Sequence, residues 1–309
     1  MPKKKPKKGP KLGPIIAGLG PAALALLLKL LGMATIPAPA GVPPLKVAGF
    51  EAAICESVTN MDACHSRYPT GCSKAGRYDP YLNILKNQVI APPTPSQTVK
   101  FLDLNKFQKL DEDIPDGLSG DEKNHALFAK ELGKLGEKKM FGVVGYLYYV
   151  NKSDEESSNC QLPDKDPEGT NVDYHIGIGF DADFAAHLRA TKPSKLTKED
   201  RRTLKTTSII VEMTPHVRAE YGGEAWNYTA LKQQVGKQVR VVGQLMVDSE
   251  HNVPEQNCAK ATSQEQLNKC WRVSAWELHP VTQFQVCNKA DQLCTASSAD
   301  WVQPDQVNP

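Results

Sequence analysis

The segments Ser208–Thr214 (SIIVEMT) and Gln238–Asp248 (QVRVVGQLMVD) alternate between apolar and other side chains, and a helical stretch, Thr229–Val235, separates them. Alternation with a period of two is typical of strands that pack one face on a core. The chain is therefore predicted to run strand, helix, strand through this region.

Three further segments complete the predicted sheet. Phe141–Val150 (FGVVGYLYYV) is apolar on both faces, whereas Asp173–Phe180 (DYHIGIGF) and Val273–Cys287 (VSAWELHPVTQFQVC) group their apolar residues on one face. Three strands, a helix and two strands is the element order of the OB fold. A five-stranded β-sandwich fits the pattern almost as well, and the helix between the third and fourth strands favours the barrel. We predict a mainly β chain, a five-stranded OB-type Greek-key barrel with a small Cys-rich, partly helical N-terminal segment.

Composition and charge limit the class of protein. The chain has 309 residues, of which 40% are hydrophobic, and this excludes a fully disordered chain, a collagen and a polytopic membrane protein. Seven lysines and no acidic residue precede residue 41, so the net charge of +2 becomes −5 for residues 41–309. A mildly acidic body argues against binding of nucleic acid through its phosphates.

The N-terminal 40 residues have the three parts of a secretory signal. They begin with a basic stretch, continue with a largely apolar run over Leu12–Leu28, and end with small residues at Ala38 and Ala40. An uncleaved membrane anchor is the alternative, with the first lysines held inside. Both interpretations place the remainder outside the cytoplasm, either secreted or periplasmic, or anchored and facing outward.

The cysteine content agrees with export, because an even number of cysteines in an exported chain favours disulfides. Local spacing suggests one bridge within the first three cysteines, one between the fifth and sixth, and one between the last two. Zinc bound through Cys64, His65 and Cys72 is the alternative, which the absence of a CxxC pair disfavours. The eight disulfide candidates are Cys55, Cys64, Cys72, Cys160, Cys258, Cys270, Cys287 and Cys294.

Composition also divides the chain into parts. Helical spacing predicts one short helix within residues 78–88 and another at about residues 121–132. The predicted parts are a signal peptide or anchor at 1–40, a Cys-rich segment and Pro linker at 41–98, a helical lead-in at 99–137, the barrel at 138–290 and a polar tail at 291–309.

Polar side chains collect on one outer surface of the predicted barrel. Residues two positions apart on a strand share a face, so the acids and imidazoles of the second, third and fifth strands point outward if the apolar residues point inward. An OB barrel places its third strand between the second and the fifth. Ligands of OB folds usually bind at the loops after the first and fourth strands, which correspond here to residues 152–172 and 249–271. The candidate ligand-binding patch comprises Asp173, His175, Glu212, Asp248, His251, Glu277 and His279.

Three roles fit this patch. Carboxylates and imidazoles together hold divalent cations, and a bound cation can activate water for hydrolysis of a phosphate ester. Without metal, a Glu–His pair can serve as a general base, although no Ser or Cys nucleophile stands beside it. The plainer alternative is a network of ion pairs and hydrogen bonds that fixes strand register. No motif requires a cofactor, and a divalent cation is the one candidate.

Several of these stretches resemble a group of uncharacterised bacterial exported proteins. The matching stretches are Cys64–Gln88, Asp173–His175, Val211–Pro215, Val239–His251 and Trp276–Val281. Those proteins combine a D-x-H strand, an E-x-x-P strand, a D-x-x-H strand end and an ELHPV-type final strand, over about two-thirds of the chain. The resemblance implies an exported protein with an OB-like barrel, and it transfers no catalytic residue.

Two functions follow from the sequence. The first is an extracytoplasmic, disulfide-braced OB-type binding or interaction module whose partner is a small molecule or protein of unknown identity. The second is a metal-dependent hydrolase that acts on phosphate esters through the seven residues of the patch. Membrane contact is expected only through the N-terminal segment if it remains uncleaved, and the acidic body disfavours nucleic acid.

The export prediction can be checked by cell fractionation with N-terminal sequencing. We expect an extracytoplasmic chain that begins after Ala40 and has no free thiols. An outward-facing chain that still begins at Met1 supports the anchor instead. A cytoplasmic chain that begins at Met1 and has eight free thiols contradicts both the export and the disulfide predictions.

Overall fold

The computed structural model of the chain describes residues 52–94 and 96–307. The signal peptide or anchor predicted at 1–40, and the start of the Cys-rich segment, lie outside the described residues. Within the two described ranges, every helix is too short or too polar to cross a lipid bilayer.

Seven strands form one mixed sheet. Helices occupy about 34% of the described residues and strands about 22%, so the chain is mixed α and β rather than mainly β as the alternation predicted. The strands are β1 (Lys100–Leu102), β2 (Met140–Lys152), β3 (Tyr174–Gly179), β4 (Ser208–Met213), β5 (Gln238–Val247), β6 (Trp276–Cys287) and β7 (Trp301–Val302).

The helices are short and begin at polar capping residues. Asp79 accepts hydrogen bonds from the amides of Tyr81 and Leu82 at the start of the second helix, and Thr197 and Asp200 form a capping box at the start of the sixth. The helices are α1 (Met61–Arg67), α2 (Pro80–Lys86), α3 (Leu104–Glu112), α4 (His125–Leu135), α5 (Ala182–Ala190), α6 (Lys198–Thr206), α7 (Pro215–Val217), α8 (Tyr228–Lys232) and α9 (Gln264–Lys269).

Five of the strands form a partial ring in the order β2, β3, β4, β6, β5, and β5 pairs back to β2. Strand β2 is long enough to have two partners, because residues 140–146 pair with β5 and residues 146–152 pair with β3. The neighbours in the ring are antiparallel except β4 and β6, which are parallel and share the single register pair Val211 and Leu278. The ring is therefore weakest between β4 and β6.

One hydrophobic core lies against the ring strands. Ile176 of β3, Val211 of β4, Leu245 of β5 and Phe284 of β6 are fully buried in it. The helices α3 and α4 and the aromatic residues Trp226 and Trp276 contribute to the same core. The opposite side of β3, β4 and β6 carries four of the seven residues of the predicted patch, which are His175, Glu212, Glu277 and His279.

Four disulfides join the eight cysteines, and none of the described cysteines is free. Three of the bridges, Cys55–Cys72, Cys258–Cys270 and Cys287–Cys294, have the short separations that local spacing predicted. The fourth, Cys64–Cys160, joins α1 to the loop after β2 across 96 residues, a distance that local spacing does not indicate. Zinc binding by Cys64 and Cys72 is wrong, because both sulfurs are in disulfides. Four disulfides are consistent with an oxidising compartment.

The long-range disulfide is expected to stabilise the fold more than the short one. Chain-entropy arguments assign about 4.7 kcal/mol to a loop of roughly 100 residues and about 2.5 kcal/mol to one of under ten. Replacement of Cys64 and Cys160 by Ala should therefore lower the free energy of unfolding by about 2 kcal/mol more than replacement of Cys287 and Cys294. Urea denaturation measures both losses, and equal losses would contradict the loop-length argument.

Candidate functional site

The seven residues of the predicted patch belong to one connected group of charged side chains, with Glu212 at its centre. Strands β3 and β4 are antiparallel, and His175 lies directly opposite Glu212 in their register. Strand β4 lies between β3 and β6, so Glu277 and His279 of β6 reach the same side. We call this group the acid–imidazole cluster.

Glu212 contacts both imidazoles that flank it. Its Oε1 lies 3.2 Å from His175 Nε2, and its Oε2 lies 3.0 Å from His279 Nδ1. The Nδ1 of His279 also hydrogen-bonds Glu277 Oε1 at 3.1 Å. The Nε2 of the same ring lies 3.5 Å from Asp173 Oδ2. One carboxylate thus joins the histidine of β3 to that of β6.

The cluster is buried, which corrects the predicted outer surface. Five of its residues have no exposed surface, namely Asp173, Glu212, Asp248, Glu277 and His279. Only the rim reaches solvent. The His175 side chain is 23% exposed and that of His251 is 25% exposed. The strand parity places these residues outside the apolar core, but α2 and the loops that follow β2 and β5 cover that side.

Three further charged residues complete the cluster. Lys86, the last residue of α2, places its Nζ 3.6 Å from Glu156 Oε2 and 3.6 Å from Asp248 Oδ2. Arg272 donates from Nη1 to Glu277 Oε2 at 3.0 Å. Strand parity could not find them because all three lie outside strands. The one available signal is that Glu156 lies within the predicted loop 152–172, near Cys160, and that Arg272 directly follows the predicted loop 249–271, near Cys270.

Hydrogen bonds hold α2 over the cluster. The amide of Gln244, on β5, donates to the carbonyl oxygens of Leu85 at 3.1 Å and of His279 at 3.0 Å. Asn83 of α2 and Asn87, which caps the end of that helix, donate to the loop after β2, at Ser157 and Ser158. Lys86 is therefore held in place by contacts with both β5 and the loop.

Two side chains from the covering loops hold carboxylates of the cluster. Asn159 donates from Nδ2 to Asp173 Oδ1 at 2.9 Å. His251 places its Nδ1 2.6 Å from Asp248 Oδ2 and its ring edge-on to Trp271. Asp173 and Asp248 are therefore each held by a side chain from one of the covering loops.

Three carboxylates in the cluster remain ionised. Burial by itself raises the pKa of Glu156, but Lys86 and His175 outweigh it and lower that pKa to about 2. Burial likewise opposes ionisation of Glu212, yet the two imidazoles hold its pKa well below the usual value. The pKa of Asp248 is also well below its usual value, because His251 and Lys86 overcome the cost of burial.

The other titratable groups of the cluster shift towards their protonated forms. Burial raises the pKa of Asp173 and of Glu277, and neighbouring carboxylates raise both further. Burial alone would lower the pKa values of His175 and His279, but Glu212 and the other acids raise both well above the usual value. Without a bound cation, protons on these groups balance the excess of carboxylates.

Several metal-ligating atoms of the cluster make no hydrogen bond. Four buried side-chain atoms have no hydrogen-bond partner. They are both Oε atoms of Glu212, Oδ2 of Asp173 and Nε2 of His279. Buried polar side-chain atoms usually have a hydrogen-bond partner. Within the described residues, Asp173, Glu212 and His279 also bring one ligand atom each to within 4.8 Å of the others. Asp173, Glu212 and His279 can therefore each offer one ligand atom to the same ion.

A second buried network adjoins the cluster. His125 places Nδ1 3.2 Å from Ser249 Oγ and Nε2 2.9 Å from Glu137 Oε1. These are the residue types of an acyl-transfer triad. All three side chains are buried, however, and Glu137 Oε1 also accepts from the amide of Val247. We therefore interpret this network as the attachment of α4 to the end of β5.

A comparison of the chain with protein-family models, with curated proteins and with solved structures found no match. The resemblance to bacterial exported proteins accordingly stays a prediction. Function must be argued from the geometry of the cluster itself.

The burial of Lys86 predicts a large effect of its removal on stability. The change Lys86→Met keeps the length of the side chain but leaves Glu156 and Asp248 without their cation, so the free energy of unfolding should fall by about 3–5 kcal/mol. The matched control is Lys74→Met, because Lys74 forms an exposed pair with Glu155 and its loss should cost at most about 1 kcal/mol. Chemical denaturation of both variants checks the difference, and similar losses would contradict it.

Proposed function

We propose that this chain is an extracytoplasmic binding module built on an OB-type ring of strands, and that it binds a divalent cation through Asp173, Glu212 and His279. The strand order supports the OB-type assignment, because β4 lies between β3 and β6 while β5 pairs with both β6 and β2. A helix, α8, lies between β4 and β5 as that fold requires. The four disulfides support an oxidising location.

The unpaired ligand atoms carry the cation proposal. A metal ion with bonds of about 2.0–2.2 Å holds neighbouring ligand atoms roughly 3–3.5 Å apart. Asp173 Oδ2 and His279 Nε2 are 3.5 Å apart, and neither forms a hydrogen bond. Two carboxylates and an imidazole suit Zn²⁺, Mn²⁺ or Fe²⁺ better than Ca²⁺, which prefers oxygen ligands alone.

The charge balance supports the same proposal. The carboxylates of the cluster (Glu156, Asp173, Glu212, Asp248 and Glu277) outnumber the permanent cations Lys86 and Arg272 by three. Buried charges must be compensated. Protonated His175 and His279 supply two of these three charges in the absence of metal, and one divalent cation supplies the same two when the imidazoles are neutral.

Hydrolysis of a phosphate ester is the second candidate, and the closed geometry makes it the weaker one. The three proposed cation ligands have no exposed surface, so a substrate reaches the cluster only at its rim, beside His175 and Glu156. Cation binding, by contrast, requires only that an ion enters the cluster. A pure network of ion pairs accounts for Glu212, but it leaves Asp173 Oδ2 and His279 Nε2 buried without a hydrogen bond.

The cation proposal is tested by calorimetric titration of the full chain with Zn²⁺ and with Mn²⁺ after removal of metal by a chelator. We expect tight binding of at least one ion per chain. The change Glu212→Gln should weaken it by about 100-fold or more, since loss of groups that only hydrogen-bond to the metal ligands costs about 10–100-fold. An assay with p-nitrophenyl phosphate under the same conditions tests the hydrolase candidate.

Glu137→Gln is the matched control, because Glu137 is equally buried and bonded to a histidine but lies outside the cluster. It should bind the ion as the unaltered chain does. If the unaltered chain binds neither ion, or if both variants lose binding equally while folded by circular dichroism, the proposal is wrong.

A further inference from the structure

We infer that the cluster holds two divalent cations, with Glu212 as the carboxylate between them. The inner cation is the one proposed above, and this inference rests on that proposal. The outer cation would bind to Glu156, His175 and Glu212, at the rim of the cluster.

The two oxygens of Glu212 face different sets of ligands. Oε1 lies 3.2 Å from His175 Nε2, whereas Oε2 lies 3.0 Å from His279 Nδ1. Glu212 is fully buried, and neither oxygen makes a hydrogen bond. A carboxylate that offers one oxygen to each of two ions suits a pair of metals about 3.5–4 Å apart.

The three residues of the outer set already lie close together. The Oε1 of Glu156 lies 3.4 Å from His175 Nε2, and the ligand atoms of Glu156, His175 and Glu212 lie within 4.8 Å of one another. Lys86 contacts the other oxygen of Glu156, Oε2, at 3.6 Å. This contact fixes the orientation in which Oε1 faces the imidazole.

Among the described residues, a third group of acidic ligand atoms is already paired with Arg272. Glu212, Asp248 and Glu277 also bring ligand atoms within 4.8 Å of one another. The Arg272 Nη1 lies 3.0 Å from Glu277 and 3.8 Å from Asp248, and Nη2 lies 4.0 Å from Glu212. A guanidinium is always charged, so it serves as the permanent cation of this third group. Of the three groups, the two without Arg272 can therefore each bind a metal ion.

Exposure distinguishes the two cation positions. Asp173 and His279 are sealed from solvent, but the side chains of His175 and Glu156 are 23% and 19% exposed. An outer cation therefore has room for water or for an atom of another molecule among its ligands.

With neutral imidazoles, one cation leaves the cluster with a single negative charge, and two leave it with a single positive charge. The doubly loaded cluster would thus attract an anionic ligand at its rim.

The stoichiometry of Mn²⁺ binding tests this inference. Titration of the metal-free full chain, followed by calorimetry and electron paramagnetic resonance, should give two ions per chain and a spin-coupled signal. His175→Ala and Glu156→Gln should each reduce binding to one ion and remove the coupling, whereas Glu212→Gln should abolish tight binding of both. Glu155→Gln is the control, because Glu155 pairs with the exposed Lys74 outside the cluster, and it should retain two ions.

The outcomes separate this inference from the cation proposal. A single ion in the unaltered chain, or two ions in folded His175→Ala and Glu156→Gln, overturns the outer site and leaves the inner one standing. No tight binding at all overturns both. Because Glu156→Gln keeps the shape of the side chain, it preserves the test if His175→Ala fails to fold.

Discussion

The structure depends on the need to compensate a carboxylate, Glu212, that is buried between two strands. A charged group without solvent survives in a protein only when opposite charges or ligands surround it. Here His175 and His279 approach its two oxygens from opposite sides, and the remaining charges of the cluster are arranged around that contact. The pairing of β3 with β4, and the position of β6 beside β4, are what bring these groups together.

The covering elements are as important to this compensation as the strands. Lys86 arrives on α2, Glu156 on the loop after β2 and Arg272 on the loop before β6. The disulfides Cys64–Cys160 and Cys258–Cys270 constrain these loops. The sequence predicts an open patch. Because these elements cover it, the structure has an enclosed cluster with a narrow rim.

The strands and the convergence of the seven residues could be predicted, because the period of two records which side of a strand meets the core. Asp173, Glu212 and His279 follow from that rule alone. The rule applies only to strands, so it does not predict Lys86, which lies on a helix, or Arg272, which lies in a loop. The helices α5 and α6 were also missed, since their many charges are typical of solvated loops, although the capping box at Thr197 was an available signal. Cys64–Cys160 could not be predicted because its partners meet only in the folded chain.

The Cys64–Cys160 bridge has a consequence for the electrostatics of the whole centre. It joins α1, in the segment that supplies Lys86, to the loop that supplies Glu156. The disulfide keeps the segment that carries Lys86 beside the loop that carries Glu156, and the attraction within this lysine–glutamate pair is strong only while water is kept away. A covalent bond and an ion pair therefore fasten the same two stretches of chain at the rim, one through sulfur and the other through charge.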